Sequence, residues 1–292
     1  MSLLQLLIAA AGSESALALK LGVGSTIVGI SRVAYGNDRF VAVGYSGKIL
    51  TSPDGVTWSE ISGVTTGSLL AITYGGGQFV AVGGLGAILT SPDGINWTGR
   101  SIGTAQLNGV TYGGGLFVAV GYDSTILTSP DGETWTPQIC SQSRYFFAVT
   151  YGGGQFVAVG NNGSIETSPD GITWTAIDSG GAFWLWDIAY GRGQFVALRA
   201  GNQNILTSSD GVTWTSMSIG PVWLNRITYG GSQFVAVGGN GAIFTSPDGI
   251  NWTARSSGVT TELVDVTYSG TKFVVIGAGQ VLISPPPPNT AI

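Results

Sequence analysis

A Tyr recurs seven times along the chain, at Tyr35, Tyr74, Tyr112, Tyr151, Tyr190, Tyr229 and Tyr268, with spacings of 39, 38, 39, 39, 39 and 39 residues. Gly follows it in the first six copies. Each Tyr leads into F-V-A-V-G or a close relative, such as Phe79-Val80-Ala81-Val82-Gly83. I-L-T-S-P-D-G or a variant follows, and then a Trp: Trp58, Trp97, Trp135, Trp174, Trp214 and Trp252. A fixed period of this length marks units that are each too small to bury their own apolar face and must pack on one another.

Each unit reads as four short strands. In the second unit they fall at about 69–74, 78–83, 87–91 and 96–101. Apolar residues at Ile72, Tyr74, Phe79, Ala81 and Ile88 suit strands covered on both faces by neighbouring sheets. The turns are explicit: G-G-G after the Tyr, G-x-x-G after the second strand, P-D-G before the Trp. The charged fraction of 9% and the 48 Gly fit many short strands joined by tight turns. The chain is therefore read as all-β, a seven-bladed β-propeller with four-stranded blades. A solenoid would need distinct capping repeats at both ends, and none is visible.

The seventh unit is incomplete. Residues 263–284 supply three strands, but S-P-P-P-P replaces S-P-D-G and no Trp strand follows. In the other units the Trp stands 15 or 16 residues before the next Tyr, which leads back from Tyr35 to Leu19, in Ala18-Leu19-Lys20-Leu21. Leu19 and Leu21 are expected to bring the missing outer strand, so that the two ends of the chain close the ring and remove an open edge. The expected organisation is an apolar docking arm over 1–16, the propeller over 17–284 and a proline-rich tail over 285–292. Pro285 to Pro288 should favour an extended polyproline II conformation. The apolar run 3–11 resembles part of a secretory signal but lacks preceding Lys or Arg, and it is too short to span a bilayer.

Composition narrows the chemistry. The chain has no His, which removes His acid–base catalysis, His metal ligands and Ser/His or Cys/His nucleophiles. Its single Cys, Cys140, excludes an intrachain disulfide. A net charge of −5 with thinly spread Arg and Lys argues against nucleic-acid binding. No cofactor or metal is expected.

The six S-P-D-G-x-x-W copies carry Asp54, Asp93, Asp131, Asp170, Asp210 and Asp248, with Ser209 in place of Pro in the fifth. They resemble the Asp-box of sialidases and other bacterial propellers, which has one more residue between Asp and Gly. The resemblance covers almost the whole chain and implies fold rather than activity. Each Asp is expected to accept backbone N–H bonds in its turn and each Trp to cover the hairpin. One carboxylate per turn is a poor calcium cage.

Function is sought where the repeat is broken, in the segment before each Tyr. Four residues before it stand Ser31, Leu70, Asn108, Phe147, Trp186, Asn225 and Val264; three before it stand Arg32, Ala71, Gly109, Ala148, Asp187, Arg226 and Asp265. These positions should ring one mouth of the central channel. Tyr145, Phe147, Trp184, Trp186 and Trp223 make three successive segments aromatic, with Asp187, Asn225 and Arg226 among them. Such a patch suits a protein partner or sugar rings, although the same residues could instead fill the channel. A sialidase resemblance implies an arginine triad. Arg32 and Arg226 could face the channel, but no third Arg is apparent. Asp187, Glu262 and Asp265 are the carboxylates expected near this mouth. The expectation is a non-enzymatic binding or structural propeller. Its layout of apolar arm plus compact module resembles bacteriophage virion proteins, with an arm that docks on other virion or surface proteins and a face open to a glycan or host receptor. A secreted lectin-like or surface propeller is the competing expectation. Photosystem-assembly propellers also share this repeat style, but the Arg patch expected of them is not evident here.

Overall fold

The computed structural model describes residues 20–21, 27–140, 144–200 and 204–284. It contains seven separate four-stranded sheets. Blade 1 covers 30–60, blade 2 69–101, blade 3 107–138, blade 4 146–178, blade 5 185–218 and blade 6 224–255. Blade 7 combines 263–283 with Lys20–Leu21. Every strand pair is antiparallel. The inner strands neighbour one another in sequence order, and that of blade 7 meets that of blade 1, which closes the ring. In blade 2 the strands are Leu69–Gly75, Gln78–Gly83, Ala87–Ser91 and Thr98–Ser101, within two residues of the expected limits.

The seam lies where the missing Trp strand pointed. Lys20 pairs with Ile283 and Leu21 with Leu282. Leu19, the arm and the tail lie outside the described residues.

The strands alternate in direction, so each disc face has its own loops. The upper face carries the start of each inner strand and the loop between the second and third strands. The lower face carries the two remaining turns, including S-P-D-G.

The blade interfaces explain the repeat. The Tyr ring packs tilted or edge-on against the Phe five residues later in every blade, with centroids 4.6 Å apart for Tyr112 and Phe117. In six blades the Trp follows, 6.4 Å from Phe in blade 1. The Gly after Tyr is a seat for the next blade. A Cβ on Gly36, Gly75, Gly113, Gly152, Gly191 or Gly230 would meet the ring of Tyr74, Tyr112, Tyr151, Tyr190, Tyr229 or Tyr268 respectively. Only the seventh copy has Ser269 instead. The second strands form the core, with Val41, Val80, Val118, Val157, Val196, Val235 and Val274 fully buried.

On the lower face each Asp acts inside its own turn. Asp210 Oδ1 accepts the N–H of Val212 at 2.8 Å and of Thr213 at 2.7 Å, and the Ser208 hydroxyl at 2.9 Å. Trp214 Nε1 donates to the Gly211 carbonyl at 2.9 Å. Asp54, Asp93, Asp131, Asp170 and Asp248 make the same pair of backbone bonds. Trp58, Trp135, Trp174 and Trp252 repeat the indole bond, whereas Trp97 Nε1 is buried without a partner.

Candidate functional site at the upper channel mouth

Each inner strand begins with a bulge. Register shifts between the residues five and three before the Tyr, for instance between Leu185 and Asp187, so the residue between them leaves the ladder. A bulge re-aims a side chain. Here it frees Ser31, Leu70, Asn108, Phe147, Trp186, Asn225 and Val264 from strand pairing at the channel rim.

Several of these residues tie one blade to the next. Ser31 Oγ donates to the Leu69 carbonyl at 2.6 Å, Asn108 Nδ2 to that of Phe146 at 2.8 Å, and Asn225 Nδ2 to that of Leu263 at 2.9 Å. Asp187 Oδ2 accepts the Ile227 N–H at 2.9 Å, and Asp265 Oδ2 that of Val33 at 2.7 Å. Between blades 4 and 5 the link is aromatic: Phe147 stacks on Trp186 with centroids 4.8 Å apart. Asp187 and Asn225, expected in a binding patch, thus also hold the ring together.

The aromatic residues split into two groups. Trp184 lies edge-on to Trp186 at 5.2 Å and 5.7 Å from Phe147. Tyr122 extends the cluster, 6.5 Å from Phe147 and 4.9 Å from Tyr145. Phe147 is buried, whereas Trp184 and Tyr145 are 48% and 44% exposed. Trp223 is 52% exposed and makes no ring contact with this cluster among the described residues; its Nε1 donates to Asn225 Oδ1 at 2.9 Å. Asn225 also donates to Glu262 Oε1.

A cavity of about 160 Å³ opens at the mouth, walled by Tyr45, Leu70, Tyr122, Phe147 and Trp186 and floored by Arg32 and Arg226. Below it a neck of about 140 Å³ adds Asp187 and Asp265 to the same two arginines. These four charges sense one another. Burial and then the charge of Arg226 lower the Arg32 pKa to about 10, against the pull of Asp265 and Asp187. Burial raises Asp265 to about 6 against Arg32 and Arg226, and raises Asp187 in the same way. A larger groove of about 480 Å³ runs along the outer strands of blade 4, near Glu166 and Asp178. It holds none of the clustered aromatics, so the mouth is the better candidate.

Tyr45 and Tyr122 were not among the expected site residues. Both follow the second strand directly, where Gly84, Asn161 and Gly239 stand in other units. They reach the same rim because Tyr45 N donates to Gly29 O and Tyr122 N to Gln106 O. Tyr45 and Tyr122 depart from the repeat as clearly as the residues of the pre-Tyr segment do. Among the described residues no group of three or more His, Cys, Asp or Glu could hold a metal ion.

No family model and no curated protein matches the sequence. Solved structures match in fold. A streptogramin B lyase superposes with a TM-score of 0.80 at 13% identity, covering 93% of this chain and 99% of that one. A YCF48 bound to a D1 peptide gives 0.73 at 16% identity, covering 91% and 96%. The WD40 β-propeller domain of Doa1 gives 0.71 at 12% identity, with the same coverages. At these identities the likeness shows the fold alone: the chain is a seven-bladed β-propeller.

Proposed function

We propose that the protein is a non-enzymatic binding propeller that docks a protein partner on the aromatic rim of its upper mouth, and that it is a virion component: a capsid decoration, baseplate or fibre protein. The observation that carries the binding reading is the continuous array Tyr145–Tyr122–Phe147–Trp186–Trp184. Exposed rings braced by buried ones supply contact area at low entropic cost, the usual make-up of an interface hot spot.

Two comparisons support this reading. YCF48 is a propeller of this fold with a bound peptide. The lyase relatives are enzymes, but a catalytically inactive virginiamycin B lyase is one with a histidine replaced by alanine, and this chain has no His. The S-P-D-G-x-x-W turns, taken as a variant of the Asp-box, are spent on their own backbone bonds and act as staples. The virion reading draws on the apolar run 3–11 and on the seam, where Lys20 and Ile283 are partners at the lower end of blade 7. Attachment there would leave the upper mouth free.

Mass spectrometry of purified particles against culture medium tests location: intact protein in particles is expected, and its presence only in medium would favour a secreted propeller. Affinity capture with the wild type and Trp184→Ala in parallel tests the mouth. A partner captured by both variants equally would refute it, and a glycan-array signal without protein capture would move the ligand class to sugars.

A further inference from the structure

We propose that the channel neck is an anion site that takes the carboxylate of a small organic acid between Arg32 and Arg226, with the acid's apolar body against the aromatic mouth. This rests on the mouth being a binding site and goes beyond the protein partner to a small-molecule ligand of the neck beneath it.

The two guanidiniums belong to both chambers, whereas the two aspartates line only the lower one. The arginines are therefore the first charges met from outside. They are not used up by the aspartates. The ion pairs within 4.0 Å among the described residues are Lys48–Glu60 and Arg100–Glu133, while Asp187 and Asp265 each commit Oδ2 to a backbone N–H. The hydrogen bonds resolved for these guanidiniums run from Nη1 to the preceding residue's carbonyl, Ser31 or Asn225.

Two buried donors at the same place lack an acceptor: Arg226 Nε and Trp186 Nε1. An unmet buried donor is costly, so the mouth favours a ligand rich in acceptors. A carboxylate matches the planar guanidinium fork and would share the two arginines with Asp187 and Asp265, which line the neck below. Space exists on one side. Blades 2, 3 and 4 place Ala71, Gly109 and Ala148 at the level where blades 1, 5, 6 and 7 place Arg32, Asp187, Arg226 and Asp265.

Phenylacetate and its uncharged amide, phenylacetamide, separate the charge from the ring. Calorimetric titration should show phenylacetate binding about tenfold or more tightly than the amide, the worth of a charge-assisted hydrogen bond. Arg226→Gln should abolish that preference and Arg226→Lys should keep part of it, with melting recorded to show that both variants fold. Binding should tighten severalfold as pH falls from about 7.5 to about 5.5, because Asp265 takes up a proton while the ligand, titrating near 4, stays ionised. The groups facing the ligand in that range are Arg32, Arg226, Asp187 and Asp265. Equal affinity for acid and amide, an unchanged preference in Arg226→Gln, or no binding of either probe would overturn the anion site. If that happens while Trp184→Ala still loses its captured partner, the mouth reading stands and only the neck is misassigned.

Discussion

Asp265 in blade 7 accepts a 2.7 Å hydrogen bond on Oδ2 from the backbone N–H of Val33 in blade 1, 232 residues away in sequence. The bond crosses the one interface where the Gly seat is replaced by Ser269. Its carboxyl is nearly inaccessible to solvent, and burial holds its pKa at about 6 despite Arg32 and Arg226.

This sets a pH dependence. A carboxyl whose folded pKa exceeds its unfolded value of about 4 favours folding when protonated, so its contribution is complete below about pH 4 and is lost as pH rises through about 6. The turn aspartates act the other way. Backbone N–H groups, first those of Thr134 and Thr213, hold Asp131 and Asp210 near 2. Their contribution is present above about pH 4 and is lost as pH falls through about 2. Asp265→Asn keeps an oxygen for Val33 and removes the titration. Between about pH 4.5 and 7.5 the wild type should lose about 2 kcal/mol relative to that variant. Urea denaturation across the range checks this, and parallel profiles for the two proteins would contradict it.

The Gly seat predicts a second outcome. Gly113→Ala puts a methyl into the Tyr151 ring and should cost about 3 kcal/mol by overpacking. Thermal melting reads it directly. A shift as small as that of an exposed loop substitution would mean that the ring can move aside.

The seam predicts a third. Deleting residues 1–22 removes the partner of Leu282 and Ile283 and leaves an open sheet edge on blade 7. The truncated protein should melt several degrees lower and self-associate, as seen by light scattering. Unchanged melting and a monomeric profile would show that the two-residue strand is dispensable.

Buried and exposed members of the aromatic array should respond differently. Phe147→Ala opens a hole beneath Trp184 and Trp186 and should cost about 3 kcal/mol. Trp184→Ala should change stability by no more than about 1 kcal/mol while weakening partner binding. Similar melting losses in both would make the whole array core rather than interface.

The fold was legible because one message is written seven times and the omission at the end is itself informative; the seam lies one residue from Leu19. The site was half legible. Phe147, Trp184 and Trp186 stood out because they break a repeat, and Tyr45 and Tyr122 broke it equally in a loop that meets the same rim only after folding. The bonds of Asp187, Asn225 and Asp265 had no sequence signal, because their partners are backbone groups of the next blade, which every residue type carries. Trp223 shares the residue type of Trp184 and Trp186 but bonds to Asn225 and makes no ring contact with them, a difference that residue type alone does not carry.

The six Gly–Tyr seats are interchangeable: each blade offers the same socket on one side and the same ring on the other. A duplicated or excised unit of this gene would therefore meet ready-made neighbours, and only the junction of blades 7 and 1 needs its own solution. The shared seats make six of the interfaces modular, while the join of blades 7 and 1 is particular to this ring.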